Sequence, residues 1–308
     1  MVGSMNLDMV VRSPRIPGPG ENVCGAGFRM VPGGKGANQA VAAQRLGSGA
    51  VLLARVGDDF FADFLTGKLE SAGVEASLVS RTGERSTGVA LIVVEEGTGD
   101  NTIVVDPGAN MTLSVDDLDA LEEYYDGARS ALFQLEIPTE VAREGARRAR
   151  EQGVTTILDA GPPRGVDLPF LRAFDVVSPN QDELSDITGE DVTDIATANR
   201  AARGLVSEGV PTVVVKMGGA GSLLVTGEGS WHVPSFDVEV VDTTAAGDAF
   251  TAGLATGLGE GMELTEAVCF ANAAGAAAVT VMGAQPSMPA RRQVQALIDS
   301  QGVECTPL

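Results

Sequence analysis

Residues 131–159 read ALFQLEIPTEVAREGARRAREQGVTTILD, and this stretch decides the fold. Ala131–Leu135 and Thr155–Asp159 are short apolar runs of strand length. Between them, Pro138–Gln152 has helical periodicity, with Pro138 suited to the first turn and Gly153 to the stop. Two nearly continuous apolar strands joined by a helix make a parallel pair covered on both faces.

The same rhythm extends in both directions. Strands are predicted at Val51–Val56, Val176–Ser178, Thr212–Met217 and Ser222–Val225, and helices at Asp59–Ala72 and Thr193–Glu208. The last third is helical: Ala246–Leu258, Leu264–Val281 and Ala290–Asp299. The expectation is an α/β, three-layer fold around a mostly parallel sheet. Two segments break the rhythm. Met9–Arg15 with Asn22–Val31, and Thr87–Val94 with Asn101–Val105, pattern as hairpins, enough for a small separate sheet.

Composition removes several classes of function. The 42 acidic residues against 21 Lys and Arg give a net charge of −21, which would repel phosphate backbones and argues against nucleic-acid binding. The first 154 residues carry 22 of the acids and the rest carry 20, so the charge is spread over the whole surface. Only Lys35, Lys68 and Lys216 are lysines. Many carboxylates with few lysines suit concentrated salt, where a Debye length of about 3 Å at ~1 M screens self-repulsion; a halophilic setting is expected. Cys24, Cys269 and Cys305 form no CxxC, so neither a disulfide framework nor a zinc site is indicated. His232 is the only histidine and reads as a surface or packing residue, which disfavours Ser-His-Asp and Cys-His catalysis. No basic region followed by a sustained apolar run opens the chain, so a cytoplasmic protein is expected.

Three stretches rich in small residues could carry chemistry. In Gly33-Gly34-Lys35-Gly36-Ala37-Asn38 the spacing fails for a Walker A loop. Gly33-Gly34 would let backbone approach a ligand, a helix starts near Lys35, and its free amides with Lys35 and Asn38 make a polar pocket. In Asp242-Thr243-Thr244-Ala245-Ala246-Gly247-Asp248, small residues lead straight into a helix, so amide N–H groups converge where an anion could sit. A carboxylate such as Asp248 beside that site either caps the helix or acts as a general base next to a transferring phosphoryl group. Lys216-Met217-Gly218-Gly219-Ala220-Gly221 is a tight turn after a strand that suits a nucleotide. Neither Gly-x-Gly-x-x-Gly nor Gly-x-Ser-x-Gly occurs, which disfavours a dinucleotide dehydrogenase and an α/β-hydrolase.

The first two stretches, in this order, resemble the two signatures of the ribokinase (PfkB) family of sugar kinases. Gly3–Asp8, Ser86–Ala90, Gln134–Glu136, Pro179–Glu183 and Gly283–Ser287 extend the resemblance over the whole chain. It implies one ribokinase-like domain over 1–308, with a β-sheet lid from about 9–31 and 87–105 that pairs two copies into a homodimer. It implies ATP-dependent phosphorylation of the 5-hydroxyl of ribose, with ribose 1-phosphate, a nucleoside or another sugar as alternatives. Asn6, Asp8, Gly34, Lys35, Asn38 and Glu136 match sugar-binding positions, and a carboxylate such as Asp8 can accept from two vicinal hydroxyls. Asn180, Lys216, Gly218, Gly219, Gly221, Gly247 and Asn272 match nucleotide-binding positions. Asp248 matches the catalytic base, with the Ala245, Ala246 and Gly247 amides as its anion hole. Asp242, Thr244, Ala278, Val281, Gly283 and Ser287 match a potassium site, and Glu183 supports magnesium indirectly through the Asn-x-x-Glu motif of Asn180. Arg29, Arg85 and Arg164 lie in or near segments expected around the sugar, where an arginine fork could read a phosphate. The family pattern has a longer first strand ahead of Asn6 than this sequence supplies.

Overall fold

The computed structural model describes residues 1–163 and 165–308. In chain order, β1 (Asn6–Ser13) and β2 (Ala26–Gly33) form the first hairpin, followed by α1 (Lys35–Leu46), β3 (Ala54–Gly57), α2 (Phe60–Ser71) and β4 (Val79–Thr82). Next come the second hairpin, β5 (Gly88–Glu95) with β6 (Asn101–Asp106), then β7 (Ser130–Gln134), α3 (Thr139–Glu151), β8 (Thr155–Asp159), a single turn α4 (Leu168–Leu171) and β9 (Val176–Ser178). After α5 (Gln181–Thr188) and α6 (Ile195–Ser207) follow β10 (Thr212–Lys216), β11 (Ser222–Thr226) and β12 (Ser230–Val233). The chain closes with α7 (Ala246–Gly259), α8 (Leu264–Ala278), a short α9 (Ala284–Ser287), α10 (Arg291–Gln301) and β13 (Thr306–Pro307).

The large sheet runs β13-β12-β11-β10-β9-β8-β7, parallel from β7 to β10 and antiparallel beyond. Val2 pairs in parallel with both Phe133 and Leu53, so the short segment ahead of Asn6 bridges β7 to the β3–β4 pair and continues the sheet. One face is covered by α3, α5 and α6 through Val141, Ala146, Leu184, Ala198 and Leu205. The other is covered by α1, α2, α7 and α8. α7 and α8 come close because Gly253 faces Ala271 and Ala274, where an added Cβ would sit 3.0–3.1 Å from its neighbours. This is the three-layer arrangement expected.

The two hairpins join as a four-stranded lid, β2-β1-β5-β6, whose central pair β1–β5 is parallel. Most predicted bounds fall within a residue or two, but β1 begins at Asn6 where Met9 was expected, β2 at Ala26 where Asn22 was expected and β3 at Ala54 where Val51 was expected. Pro138 precedes α3 as its cap, with ψ 130, outside the first turn where it was expected. α8 ends at Ala278, three residues before the predicted Val281, because Val279–Gly283 turn back to meet Asp242. α5 was not expected at all, although Asn180 and Glu183 form a reciprocal capping box at its start. His232 lies on β12, where its Nε2 pairs with the Ala220 carbonyl at 2.7 Å.

Candidate active site

Strands β7 to β10 all run the same way, so their C-terminal ends deliver Gln134, Asp159, Ser178 and Lys216 to one rim of the sheet. That rim is where open α/β sheets bind ligands. The start of α1 is pressed against it. Gly34 caps α1 with φ +89, and a Cβ there would lie 2.6 Å from the Asn6 amide nitrogen and 2.9 Å from the Ser4 carbonyl. A Cβ on Gly36 would lie 2.6 Å from the backbone of Gly3 and Ser4, and one on Gly33 2.4 Å from the Asp8 carboxylate. Gly33 and Gly34 let the protein's own Gly3–Asp8 segment come this close. The consequence is that Asn6, Asp8, Lys35 and Asn38 share one corner.

Each polar group in that corner is oriented. Asn110, which the sequence reading missed, donates from Nδ2 to Asn6 Oδ1 at 2.7 Å and to the Pro107 carbonyl at 2.8 Å, and accepts from the Met5 amide at 2.9 Å. It ties the root of the lid to Asn6 and turns that residue's own amide outward. Glu136 accepts from Ser4 Oγ and from the Lys35 amide. Burial, then the nearby charges of Glu136 and Asp248, push Asp8 up to about 7.

At the opposite wall, Ala245 adopts a left-handed conformation, φ 59, the only such non-glycine residue among those described. Holding a Cβ residue there costs on the order of 1 kcal/mol, a strain that concentrates at functional sites. It swings the chain into α7, leaving the Ala245 and Gly247 amides without a protein acceptor among the described residues; the Ala246 amide turns back toward the Thr243 carbonyl at 3.3 Å. Of the three amides expected to converge here, only those of Ala245 and Gly247 are left free among the described residues. Asp248 sits in this first turn, 5% exposed, accepting from Asn38 Nδ2 at 2.9 Å and Gln39 Nε2 at 3.2 Å. Burial, opposed by Lys35 and supported by Asp159, pushes its carboxyl up to about 6. Asn38 Oδ1 is buried and unpartnered, an acceptor facing the same space.

Between these walls lies Asp159, fully buried, which no motif signalled. Its Oδ1 accepts from Lys216 Nζ at 2.7 Å, and its Oδ2 from Gln39 Nε2 at 2.8 Å and Lys35 Nζ at 3.3 Å. Burial alone would raise this carboxyl, but Lys216 and Lys35 hold it below the usual carboxylate range. Burial alone would lower the Lys35 ammonium; Asp159, Asp248, Glu183 and Glu136 keep it well above the ordinary lysine range. The Lys216 ammonium lies 3.7 Å from where a Gly247 Cβ would be, over the α7 N-terminus.

The remaining predicted residues frame a second lobe. Asn180 pairs beside Lys216 and caps α5, its Oδ1 accepting from the Glu183 amide at 2.8 Å. Glu183 Oε2 accepts from the Asn180 amide, and its Oε1 presses on Gly161, where a Cβ would come within 1.8 Å. Gly218 and Gly221 take φ +55 and +90 and fold the turn after β10; Gly219 is exposed at its tip. Asn272, expected to face a nucleotide, spends its amide on the Val233 and Pro234 carbonyls at 2.9 and 3.1 Å, so it holds the loop leaving β12. Asp242 accepts from Thr244 Oγ1 at 2.6 Å and from the Gly283 amide at 2.7 Å, binding the α7 approach to the loop after α8. Ala278 and Ser287 are buried beside that loop, whereas Val281 is exposed and offers only its carbonyl. Arg29 and Arg85 are exposed; Arg164 lies outside the described residues.

The pattern of pfkB family carbohydrate kinases matches residues 1–291. The chain belongs to the pfkB family of carbohydrate kinases. This kinase is 36% identical to the ribokinase of Bacillus subtilis over 97% of its own length and 98% of the relative's. It is 35% identical to a deoxyribokinase of Salmonella typhi, covering 95% and 96% of the two chains. Its fold is similar to that of Arabidopsis thaliana ribokinase complexed with ribose and ATP, with a TM-score of 0.87, 34% identity and coverage of 96% and 97%. The chemistry is that of an ATP-dependent sugar kinase on the ribokinase-like α/β fold.

Proposed function

We propose that this kinase transfers the γ-phosphoryl group of ATP to the 5-hydroxyl of ribose, with Asp248 as general base. The observation that carries the reading is a buried carboxylate standing in the first turn of α7, beside amides that no protein group among the described residues satisfies. Asn6, Asp8, Lys35, Asn38 and Glu136 hold the sugar: Asp8 accepts from a vicinal diol, Asn38 Oδ1 accepts from a hydroxyl, and the Asn6 amide donates. Asp248 takes the proton from the terminal hydroxyl as that oxygen attacks phosphorus. The Ala245 and Gly247 amides and the Lys216 ammonium meet the charge on the transferring group. Asn180 and the Gly218–Gly221 turn hold the nucleotide, and Asn272 shapes the loop beside it.

Two ions fit the donors. When bound, magnesium on the ATP phosphates would spread their charge, and Glu183 at the head of α5 would hold it through water. An all-oxygen set, the Asp242 carboxylate, Ser287 Oγ and carbonyls from Thr244, Ala278, Val281 and Gly283, suits potassium. That ion would stiffen the approach to α7 without touching sugar. Replacing potassium chloride by sodium chloride at equal ionic strength is expected to lower kcat by about tenfold or more with little change in sugar KM. Equal rates in the two salts would remove the ion from the mechanism.

The lid supplies a homodimer interface. Alternation along the strands puts Ile103 and Val105 on the face that carries Asp8, and Phe28, Leu91 and Val104 on the other, all exposed in one chain. A second lid is the natural cover for such surface. The acidic composition fits a concentrated-salt setting, and no helix among the described residues is long and apolar enough to cross a membrane.

A second reading, ribose 1-phosphate as substrate, is favoured by one observation. Arg29 pairs opposite Val10, so it shares the lid face of Asp8, two residues further out. The three carboxylates Asp8, Glu136 and Asp248 weigh against an anionic sugar. A coupled ADP-release assay with ribose, 2-deoxyribose, ribose 1-phosphate and nucleosides decides the matter; a kcat/KM for ribose below that of ribose 1-phosphate would overturn the first reading.

The carboxyl groups also predict the pH profile. The base works ionised, so kcat should fall as pH drops through about 6, the value to which Asp248 is pushed. Asp8 must be ionised to accept from two hydroxyls, so sugar affinity should rise as pH passes upward through about 7. A kcat/KM profile breaking nearer 7 and a kcat profile breaking nearer 6 are the expected pair.

A further inference from the structure

We infer that Asp159 is a positioning residue for phosphoryl transfer, its one carboxylate holding Lys35, Lys216 and, through the shared Gln39 amide, Asp248 in a fixed array at the mouth of α7. The inference deepens the general-base reading and rests on it.

The geometry is specific. Gln39 is fully buried, and its Oε1 accepts from Gln134 Nε2 at 2.7 Å. That contact leaves only the Gln39 amide hydrogens for the other side, where they bridge Asp159 Oδ2 and Asp248 Oδ1. Gln134 thus sets Gln39, and Gln39 sets the two carboxylates against each other. Asp159 Oδ1 is reserved for Lys216, which comes from the end of β10 and reaches over Gly247. Asp159 Oδ2 is shared with Lys35, which comes from the start of α1. Segments α1, β8 and β10, distant in sequence, therefore meet at one buried carboxylate, and α7 joins them through Gln39.

The chemical need is a division of charge. Two lysine ammonium groups close to the base would pair with it if nothing else claimed them, and a base paired to a lysine is a poor proton acceptor. Asp159 claims both, so Asp248 keeps its neutral amide partners, Asn38 and Gln39, and stays free to take the sugar proton. The same contacts hold Lys216 over the helix N-terminus, where charge gathers on the transferring phosphoryl group.

The test uses the full chain. Asp159→Asn keeps the shape and removes the charge. The expected result is a fall in kcat of roughly 10²-fold, a sugar KM within about threefold of the parent, and an acid limb of the kcat profile displaced to lower pH as lysine turns to Asp248. Asp159→Asn placed on Lys216→Met should cost no more than about tenfold beyond Lys216→Met alone, because the two act as a unit. A loss under about threefold, an unmoved acid limb, or losses that multiply in the double variant would each overturn the proposal. Should Asp159→Asn fail to fold by near-ultraviolet dichroism, Gln39→Met takes its place, since it cuts the bridge and leaves both lysine contacts. It is expected to lower kcat and shift the acid limb, and an unchanged profile there rejects the array. Asp248→Asn run beside them separates the two ideas: full turnover in that variant would remove the base itself, whatever Asp159 does.

Discussion

Asp248→Asn is expected to lower kcat by about 10³- to 10⁴-fold, combining loss of a general base with a disturbed anion hole. ATP affinity should stay within a few-fold and sugar affinity should fall modestly, because Asn preserves the volume and its Oδ1 can still accept from Gln39 Nε2, but its amide meets Asn38 only if Asn38 turns its Oδ1 away from the sugar. The parent carboxylate is buried, so removing its charge relieves a desolvation cost, and the variant should melt no lower than the parent. That combination separates catalysis from folding: a dead enzyme at least as stable as the live one. Asp248→Ala should lose as much turnover and also some stability, since it leaves the Asn38 and Gln39 amides facing empty space. Calorimetric titration with ribose and with ATP, alongside single-turnover rates, distinguishes the cases. A variant with near-parent turnover would end the account of Asp248 as base.

How much of this site could be read from residues depended on where each chemical role was encoded. The α7 motif was legible because small residues followed by a carboxylate at a helix start make an unusual local combination, and its meaning is local. Asn38 was legible for the same reason. Asp159 was not, since a carboxylate ending an apolar strand looks like ordinary punctuation; only the parallel register of β7, β8 and β10 brings it to the two lysines. Gln134 lies in a motif and Gln39 directly follows one, yet their partners lie 120, 209 and 95 positions away, beyond any local pattern. α5 was within reach. The resemblance makes Asn180-x-x-Glu183 a magnesium-supporting motif, but the same spacing is a capping box and signals a helix start. Asn272 illustrates the reverse case: the resemblance matches it to a nucleotide-binding position, and its side-chain amide is spent on the loop after β12.

Gly34→Ala is expected to be the most damaging single substitution in the sugar corner, although it adds one methyl group. Two costs coincide. The backbone sits at φ +89, where a Cβ residue is strained by about 1–2 kcal/mol or more. The new Cβ would also fall 2.6 Å from the Asn6 amide nitrogen and 2.8 Å from the Met5 Cα, both backbone atoms that no rotamer change can move aside. The chain's remaining response is to push β1 away from α1. That displaces Asn6 and Asp8 relative to Asn38 and Asp248, and pulls at the Asn110 contacts that tie the lid to Asn6. Loss of stability of about 2–4 kcal/mol is expected, with sugar affinity falling by about 10²-fold in whatever fraction folds. ATP binding should suffer far less, because Asn180 and the Gly218–Gly221 turn, proposed to hold the nucleotide, follow β9 and β10 and do not pair with β1. Gly219→Ala is the matched control: its φ is ordinary and nothing lies within 4 Å of the added methyl, so stability and sugar affinity should match the parent. Thermal melts with ribose and ADP titrations on both variants measure this contrast. If Gly34→Ala bound ribose as tightly as Gly219→Ala, the close seating of β1 on α1 would not be what shapes the sugar corner.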